Sequence, residues 1–167
     1  MYMADSYLAR IRYETARETM STEVKPVEIL LAEDRPGDVA LTKRAFEKGK
    51  LLYHLTVTSS GTETLGYLRK EGMYANSTAP LPDLILLDLN LPGLDGREVL
   101  AIIKSDDRLS YIPVIVLTMS QEEEDIWKAY KLQANCYVIK PINWRDFMNV
   151  IAKLEEFWFT IVRLPGR

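Results

Sequence analysis

The 167-residue chain is poor in the residues that usually announce a site: it has one cysteine, Cys136, and one histidine, His54. A single thiol excludes an internal disulfide and suits a reducing compartment; a small buried hydrophobe is its simplest role. A lone imidazole with no metal or nucleophile partner beside it reads as structural. No apolar run approaches the roughly 20 residues of a membrane span, and the charged N-terminus has no signal-peptide core. A basic stripe is also missing. The 21 Lys and Arg stand against 24 Asp and Glu, for a net charge of −3, which argues against a nucleic-acid binder working by phosphate neutralisation. There are no internal repeats and no low-complexity tract. These absences leave a soluble cytoplasmic protein, and 47% hydrophobic with 27% charged residues is ordinary globular composition.

What is present begins at Pro26. Residues 1–25 are polar, with Tyr7, Leu8, Ile11 and Ala16 at loosely helical spacing. They form an N-terminal extension that is a short helix, a disordered lead or a segment added before an original start at Met20; the three alternatives stay open. Residues 26–153 then alternate regularly, and 154–167 extend the last helix into a tail. Apolar runs at 27–32, 53–58, 84–87, 113–117 and 136–139 read as five strands. Helical patterns at 36–48, 62–71, 96–105, 121–132 and from about Asn143 onward read as five helices. Runs apolar on both faces mean strands covered on both sides. The expected fold is therefore α/β, a doubly wound five-stranded parallel sheet.

In such folds ligands bind outside the carboxyl ends of the strands. Polar residues collect there: Glu33-Asp34 after the first strand, Asp88 after the third, Thr118 after the fourth, Lys140-Pro141 after the fifth. In DLILLDLNLPGLDG, Asp88 comes directly after four aliphatic residues, where an unpaired buried charge would cost several kcal/mol. Three neighbouring carboxylates repel unless a cation joins them. An oxygen-only ligand set suits Mg²⁺, which keeps waters and accepts phosphate oxygens. A metal-neutralised carboxylate can attack phosphorus to give an aspartyl phosphate. Lys140 would neutralise a phosphoryl oxygen and Thr118 would donate to another. Pro141 is where a cis peptide could turn the lysine inward.

The motifs ILLAEDRPGD, LILLDLNLPGLDG, VIVLTMS and CYVIKP together resemble the response-regulator receiver (chemotaxis-type) family, from about Val27 to Lys153. The resemblance implies strand order 2-1-3-4-5 and phosphoryl transfer from a partner histidine kinase onto Asp88. It implies Mg²⁺ held by Glu33, Asp34, Asp88 and the Asn90 backbone carbonyl, with phosphoryl contacts from Thr118 and Lys140. It also implies a switch in which Thr118 moves inward and Tyr137 follows. The chain would then be a phosphoacceptor promoting its own phosphotransfer, not an enzyme acting on another substrate. AED-x-PGDV, QANCY and the trailing FW-x-x-x-V-x-LP are similar to single-domain regulators paired with cyanobacterial phytochromes, which implies a phytochrome histidine kinase as partner. Met119, where the family usually has a small residue, is expected to cover the phosphoryl site. Gln133 stands where a glycine is usual and would cost roughly 1 kcal/mol if left-handed.

The last helix carries a packing stripe of Phe147, Val150, Ile151, Leu154 and Trp158. Trp127, Tyr130, Trp144, Met148 and Phe159 lie off it and predict a homodimer through the fourth helix, fifth strand and fifth helix. Glu122 to Asp125 read most simply as a solvated helix N-terminus. Two other classes fit less well. A haloacid-dehalogenase-type phosphatase needs an aspartate two residues after its nucleophile, where this chain has Asn90. A receiver-shaped module that is never phosphorylated would not need the acidic set. With little chain after the last helix, the readout is expected to be a protein contact.

Overall fold

The computed structural model describes residues 25–165, so the N-terminal extension lies outside the described residues except for Lys25. Five strands form one parallel sheet: β1 (Val27–Ala32), β2 (Tyr53–Thr58), β3 (Leu84–Leu87), β4 (Val114–Thr118) and β5 (Cys136–Ile139). Their order is β2-β1-β3-β4-β5, as expected. The helices are α1 (Pro36–Lys48), α2 (Gly61–Arg69), α3 (Gly96–Ser105), α4 (Glu123–Lys131) and α5 (Trp144–Glu156), with a 3₁₀ turn at Gly72–Tyr74 and a π turn at Phe157–Ile161. Among the described residues, no helix is long and apolar enough to cross a membrane.

Boundaries differ from expectation where a cap decides them. β4 starts at Val114, because Pro113 has no N–H to give the ladder. α2 starts at Gly61, because the Ser60 side chain accepts from Glu63 N and caps it. α4 ends in a Schellman pair, with Gln133 N donating to the Tyr130 carbonyl and Ala134 N to the Ala129 carbonyl. That geometry requires the left-handed conformation, and Gln133 adopts it at φ 63°.

Alternation along the strands sends side chains into two cores. Leu30, Ile85, Leu87, Val114 and Val116 pack under α2, α3 and α4, with Leu65, Leu68, Val99, Leu100, Ile103 and Ala129. Ile29, Leu31, Leu84, Leu86, Ile115 and Leu117 pack under α1 and α5, with Phe46, Phe147, Met148, Ile151 and Trp158. Two residues expected at an interface belong here instead. Met148 is 8% exposed, and Phe159 packs against this second core. The π turn explains Phe159: its wider winding rotates the chain after Glu156, so Phe157 turns out and Phe159 turns in. Cys136 is half-buried against the same core. His54 is exposed, its Nδ1 2.9 Å from Glu28 Oε1.

The connection from β3 to α3 sets where Asp88 points. Gly96 N donates to the Leu89 carbonyl at 2.9 Å, closing residues 89–96 into a tight loop. A reciprocal capping box between Asp95 and Glu98 then starts α3. A Cβ on Gly96 would collide with the Asp88 carbonyl and the Leu89 backbone. Gly96→Ala is therefore expected to cost about 1–3 kcal/mol. Gly37→Ala, in the first turn of α1 with open space around it, should be neutral or stabilising by up to ~1 kcal/mol. Urea unfolding midpoints of the two variants check the contrast.

Candidate phosphoryl-acceptor site

The ladder continues one residue past each strand and fixes the backbones of the polar residues. Glu33 N donates to the Thr58 carbonyl at 2.9 Å, Asp88 N to the Ala32 carbonyl at 3.0 Å, and Lys140 N to the Thr118 carbonyl at 2.7 Å. Lys140 thus reaches the site from a regular strand end. Every peptide among the described residues is trans, including the bond to Pro141, where the sequence would also allow a cis peptide.

Lys140 is the centre of the cluster. Its ammonium donates to Asp88 Oδ2 at 2.6 Å, to Asp38 Oδ2 at 3.1 Å and to Glu33 Oε2. The side chains of Lys140, Glu33 and Asp88 are 1%, 2% and 3% exposed, that of Asp38 22%. The second oxygens are used as well: Arg35 N donates to Glu33 Oε1 and Asn90 N to Asp88 Oδ1. Thr118 is fully buried, and its hydroxyl oxygen accepts only long bonds, from Ser120 N at 3.4 Å and Asn90 Nδ2 at 3.5 Å. Asp34 is exposed at the rim.

Burial alone would push the Lys140 ammonium down, but Asp88 and Glu33 outweigh it and hold it above the usual lysine value. Burial pushes the Glu33 carboxyl up, opposed by Lys140 and reinforced by Asp88. The two shifts pull the pair in opposite senses: Lys140 is held charged, while Glu33 is moved toward its neutral form. At Glu33 burial outweighs the pull of Lys140, whereas at Lys140 the carboxylates outweigh burial.

Each sequence-predicted member therefore sits at this edge. The structure brings Glu33, Asp88 and Lys140 into contact, places Thr118 next to Asn90, and leaves Asp34 at the rim. Among the described residues no three acids stand together in metal-holding geometry; the Lys140 ammonium lies between Glu33 and Asp88. Asp38 was not anticipated. Its signal, an acid four residues after Asp34 in the first turn of α1, is that of a plain helix start. Met119 is 37% exposed and lines a cavity beside Lys140 with Arg35, Asp38, Ile142 and Trp144.

A second cationic centre connects to Thr118 through Ser120, whose N–H donates to the Thr118 hydroxyl. Arg97 Nε donates to Asp125 Oδ1 at 2.8 Å and its Nη2 to Asp125 Oδ2, while Nη1 donates to Asp95. Ser120 Oγ donates to Asp125 Oδ2 at 2.6 Å, and Tyr137 Oη donates to the Ser120 carbonyl at 3.1 Å. Asp125 is thus not part of a solvated helix start, unlike Glu122, Glu123 and Glu124, which are exposed. The chain Asp95–Arg97–Asp125–Ser120–Tyr137 ties the loop after β4 to the start of α3.

A parallel sheet in this order, with two carboxylates, a lysine and a threonine at its carboxyl edge, defines a two-component receiver. The chain belongs to the response regulator receiver domain family, whose model matches residues 29–152. It is 42% identical over 148 residues to the response regulator Rcp1 of Synechocystis sp., covering 88% of this chain and 99% of Rcp1. Among solved structures it resembles the phosphorylated cyanobacterial phytochrome response regulator RcpA, with 44% identity and a TM-score of 0.81 over 85% of this chain and 100% of that one. It is equally close to the Mn²⁺-bound form of Rcp1, with 41% identity and a TM-score of 0.81 over 84% of this chain and 100% of that one.

Arg97 and Ser120 hold the Asp125 carboxyl below its usual 3.8. A carboxylate depressed in the folded state contributes stability above its unfolded pKa and loses it as pH falls through the folded value. Asp125→Asn should therefore cost about 1–3 kcal/mol near neutral pH. Its deficit against wild type should shrink as pH falls below about 4. Thermal unfolding of both proteins across that range checks the sign.

Proposed function

We propose that Asp88 accepts a phosphoryl group from the phosphohistidine of a partner histidine kinase, and that a protein contact reads the result. The observation that carries this reading is the buried Lys140 ammonium 2.6 Å from Asp88 Oδ2. It sits where a phosphoryl oxygen would need its charge neutralised. Asp88 Oδ attacks phosphorus as the phosphorus–nitrogen bond breaks, and the departing imidazole takes a proton from solvent. Lys140 then donates to a phosphoryl oxygen, and Thr118 donates its hydroxyl to another. The residues act on their own phosphorylation and on no separate substrate.

The donor set fits Mg²⁺. Glu33, Asp34, Asp38 and Asp88 set four carboxylates against one ammonium at this edge, a surplus of hard oxygen ligands that favours a small divalent cation. Glu33, Asp34, Asp88 and the Asn90 carbonyl would hold it, and it would supply charge neutralisation of the phosphoryl oxygens. The Mn²⁺-bound relative supports this reading.

Thr118 and Tyr137 form the switch in this reading. Thr118 is the least firmly bonded group of the edge, and its inward movement pulls on Ser120, whose carbonyl holds Tyr137. Likeness to Rcp1 and RcpA supports a phytochrome histidine kinase as the donor and a cytoplasmic setting. Residues 26–153 are then the receiver unit, with 1–25 and 154–167 as its extensions. Trp127, Tyr130 and Trp144 are 66%, 53% and 50% exposed, and they support a homodimer through α4, β5 and α5.

Incubation with Mg²⁺ and acetyl phosphate should add the mass of one phosphoryl group to wild type and none to Asp88→Asn, with chelation abolishing the gain. An unchanged wild-type mass would refute the assignment. Sedimentation at micromolar concentration should give a dimer that Trp127→Ala with Tyr130→Ala converts to monomer; a monomeric wild type, with and without a phosphate analogue, would remove the dimer.

A further inference from the structure

A lysine ammonium has three N–H donors, and Lys140 spends them on Glu33, Asp88 and Asp38. The function above uses two of these carboxylates. We propose that the third, Asp38, is a positioning residue that anchors Lys140 while the phosphoryl group arrives, an inference that rests on Asp88 being the acceptor.

The chemistry of the step singles Asp38 out. Once Asp88 carries a phosphoryl group, one of its oxygens is esterified and the other is an uncharged acyl oxygen, a far weaker partner for an ammonium. A cation drawn to the acidic edge competes for Glu33 as well. Both buried partners of Lys140 therefore lose hold of it during the reaction. Asp38 loses nothing.

Its placement suits the role. Asp38 stands in the first turn of α1, directly after Pro36 and Gly37, on a segment held by Val39 N to the Arg35 carbonyl and by Thr42 Oγ1 to the Asp38 carbonyl at 2.8 Å. Its backbone does not depend on the site. Among the described residues the other cation paired with its carboxylate, Arg35 Nη1, is 3.8 Å away and 57% exposed, a weak competitor. Lys140 also has somewhere to go. A cavity of about 180 Å³ opens beside it, lined by Arg35, Met119, Ile142 and Trp144 among others. Until a phosphoryl oxygen takes the place of Asp88, a four-carbon side chain loosened from two anions would be free to swing toward that space. A fixed third anion keeps Nζ on the phosphoryl side.

The test is phosphoryl uptake from acetyl phosphate at saturating Mg²⁺, followed by intact mass, for wild type, Asp38→Asn and Asp38→Glu, each also in a Lys140→Ala background. Asp38→Asn should slow the limiting rate about tenfold, the order of loss expected when a catalytic group is left unpositioned. The Mg²⁺ concentration for half-maximal rate should stay within about threefold, and Asp38→Glu should recover most of the loss. In the Lys140→Ala background Asp38→Asn should cost nothing further, because the group it acts through is gone. An Asp38→Asn rate within twofold of wild type overturns the proposal. So does an equal loss in both backgrounds, or a large Mg²⁺ effect with an unchanged limiting rate, which would make Asp38 a metal ligand. A wild type that takes up no phosphate overturns the Asp88 assignment instead, and is distinguished by showing no rate to compare.

Discussion

The Lys140 ammonium, 1% exposed and shared among Glu33, Asp38 and Asp88, is the interaction on which this edge of the sheet depends. Removing such a charge from water costs several kcal/mol, recovered only when its partners are well placed. The partners come from the ends of β1 and β3 and from the first turn of α1, while the lysine comes from the end of β5. Four segments, two of them neighbouring strand ends, are therefore required to meet at one nitrogen. The balance is incomplete: one ammonium stands against three carboxylates, and burial, offset only in part by Lys140, raises the Glu33 carboxyl. In the folded state that burial disfavours ionised Glu33, so its contribution to stability declines as pH rises from the unfolded value of 4.5 toward the raised one. Lys140 works with the same sign in a higher window, its stabilisation complete below 10.5 and lost only as pH rises through its raised folded value. Between those limits the site is held together yet still short of positive charge.

Arg97 does a related job beside Ser120, also facing more carboxylates than it has charges, but in a more exposed setting. It faces Asp95 and Asp125, and Asp125 is depressed, not raised. Thr118 is linked to both centres, its carbonyl accepting from Lys140 N and its hydroxyl from Ser120 N. The hydroxyl's bonds, at 3.4 and 3.5 Å, are the longest at the edge. A change of charge at Asp88 would act first on the Lys140 centre and on the least firmly bonded hydroxyl. The loop from Met119 to Glu122 would follow, because Ser120 contacts Thr118, Asp125 and Tyr137 together.

The fold was legible because its signals are redundant. Four aliphatic residues at 84–87 are buried on both faces, and no other element fits that run. Asp88 and Lys140 were legible because a charge directly after such a run has to meet an opposite one. Asp38 was not, since an acid in a first helical turn is explained equally well by the helix dipole. Asp125 was hidden inside four consecutive acids, and only the position of Arg97, 28 residues away in sequence, separates it from its solvated neighbours. Phe159 was misplaced because a 3.6-residue period was carried through a turn that does not keep it. Local patterns identify which residues must be compensated, but the compensating partner lies on another element and is found only when the sheet assembles.

That division bears on how the site reaches the surface. Tyr137 stands on β5 next to the strand end, with its ring against the first core and its hydroxyl on the loop after β4. Trp127 and Tyr130, on α4, are exposed, and Lys131 lies over the Trp127 ring at 4.8 Å. α4 has Ala129 as its one fully buried residue, so its grip on the sheet is slight. Much of its orientation then rests on Asp125, which Arg97 and Ser120 hold at its first turn. An element with so little buried apolar surface has a small free-energy gap between alternative placements. Loosening Ser120 would therefore move the aromatic face of α4 at low cost, whereas α3, with Gly96, Val99, Leu100 and Ile103 buried, would stay. The charge deficit at Lys140 and the shallow seating of α4 would be two halves of one arrangement: the first would make the edge respond to a phosphoryl group, and the second would let that response reach the surface.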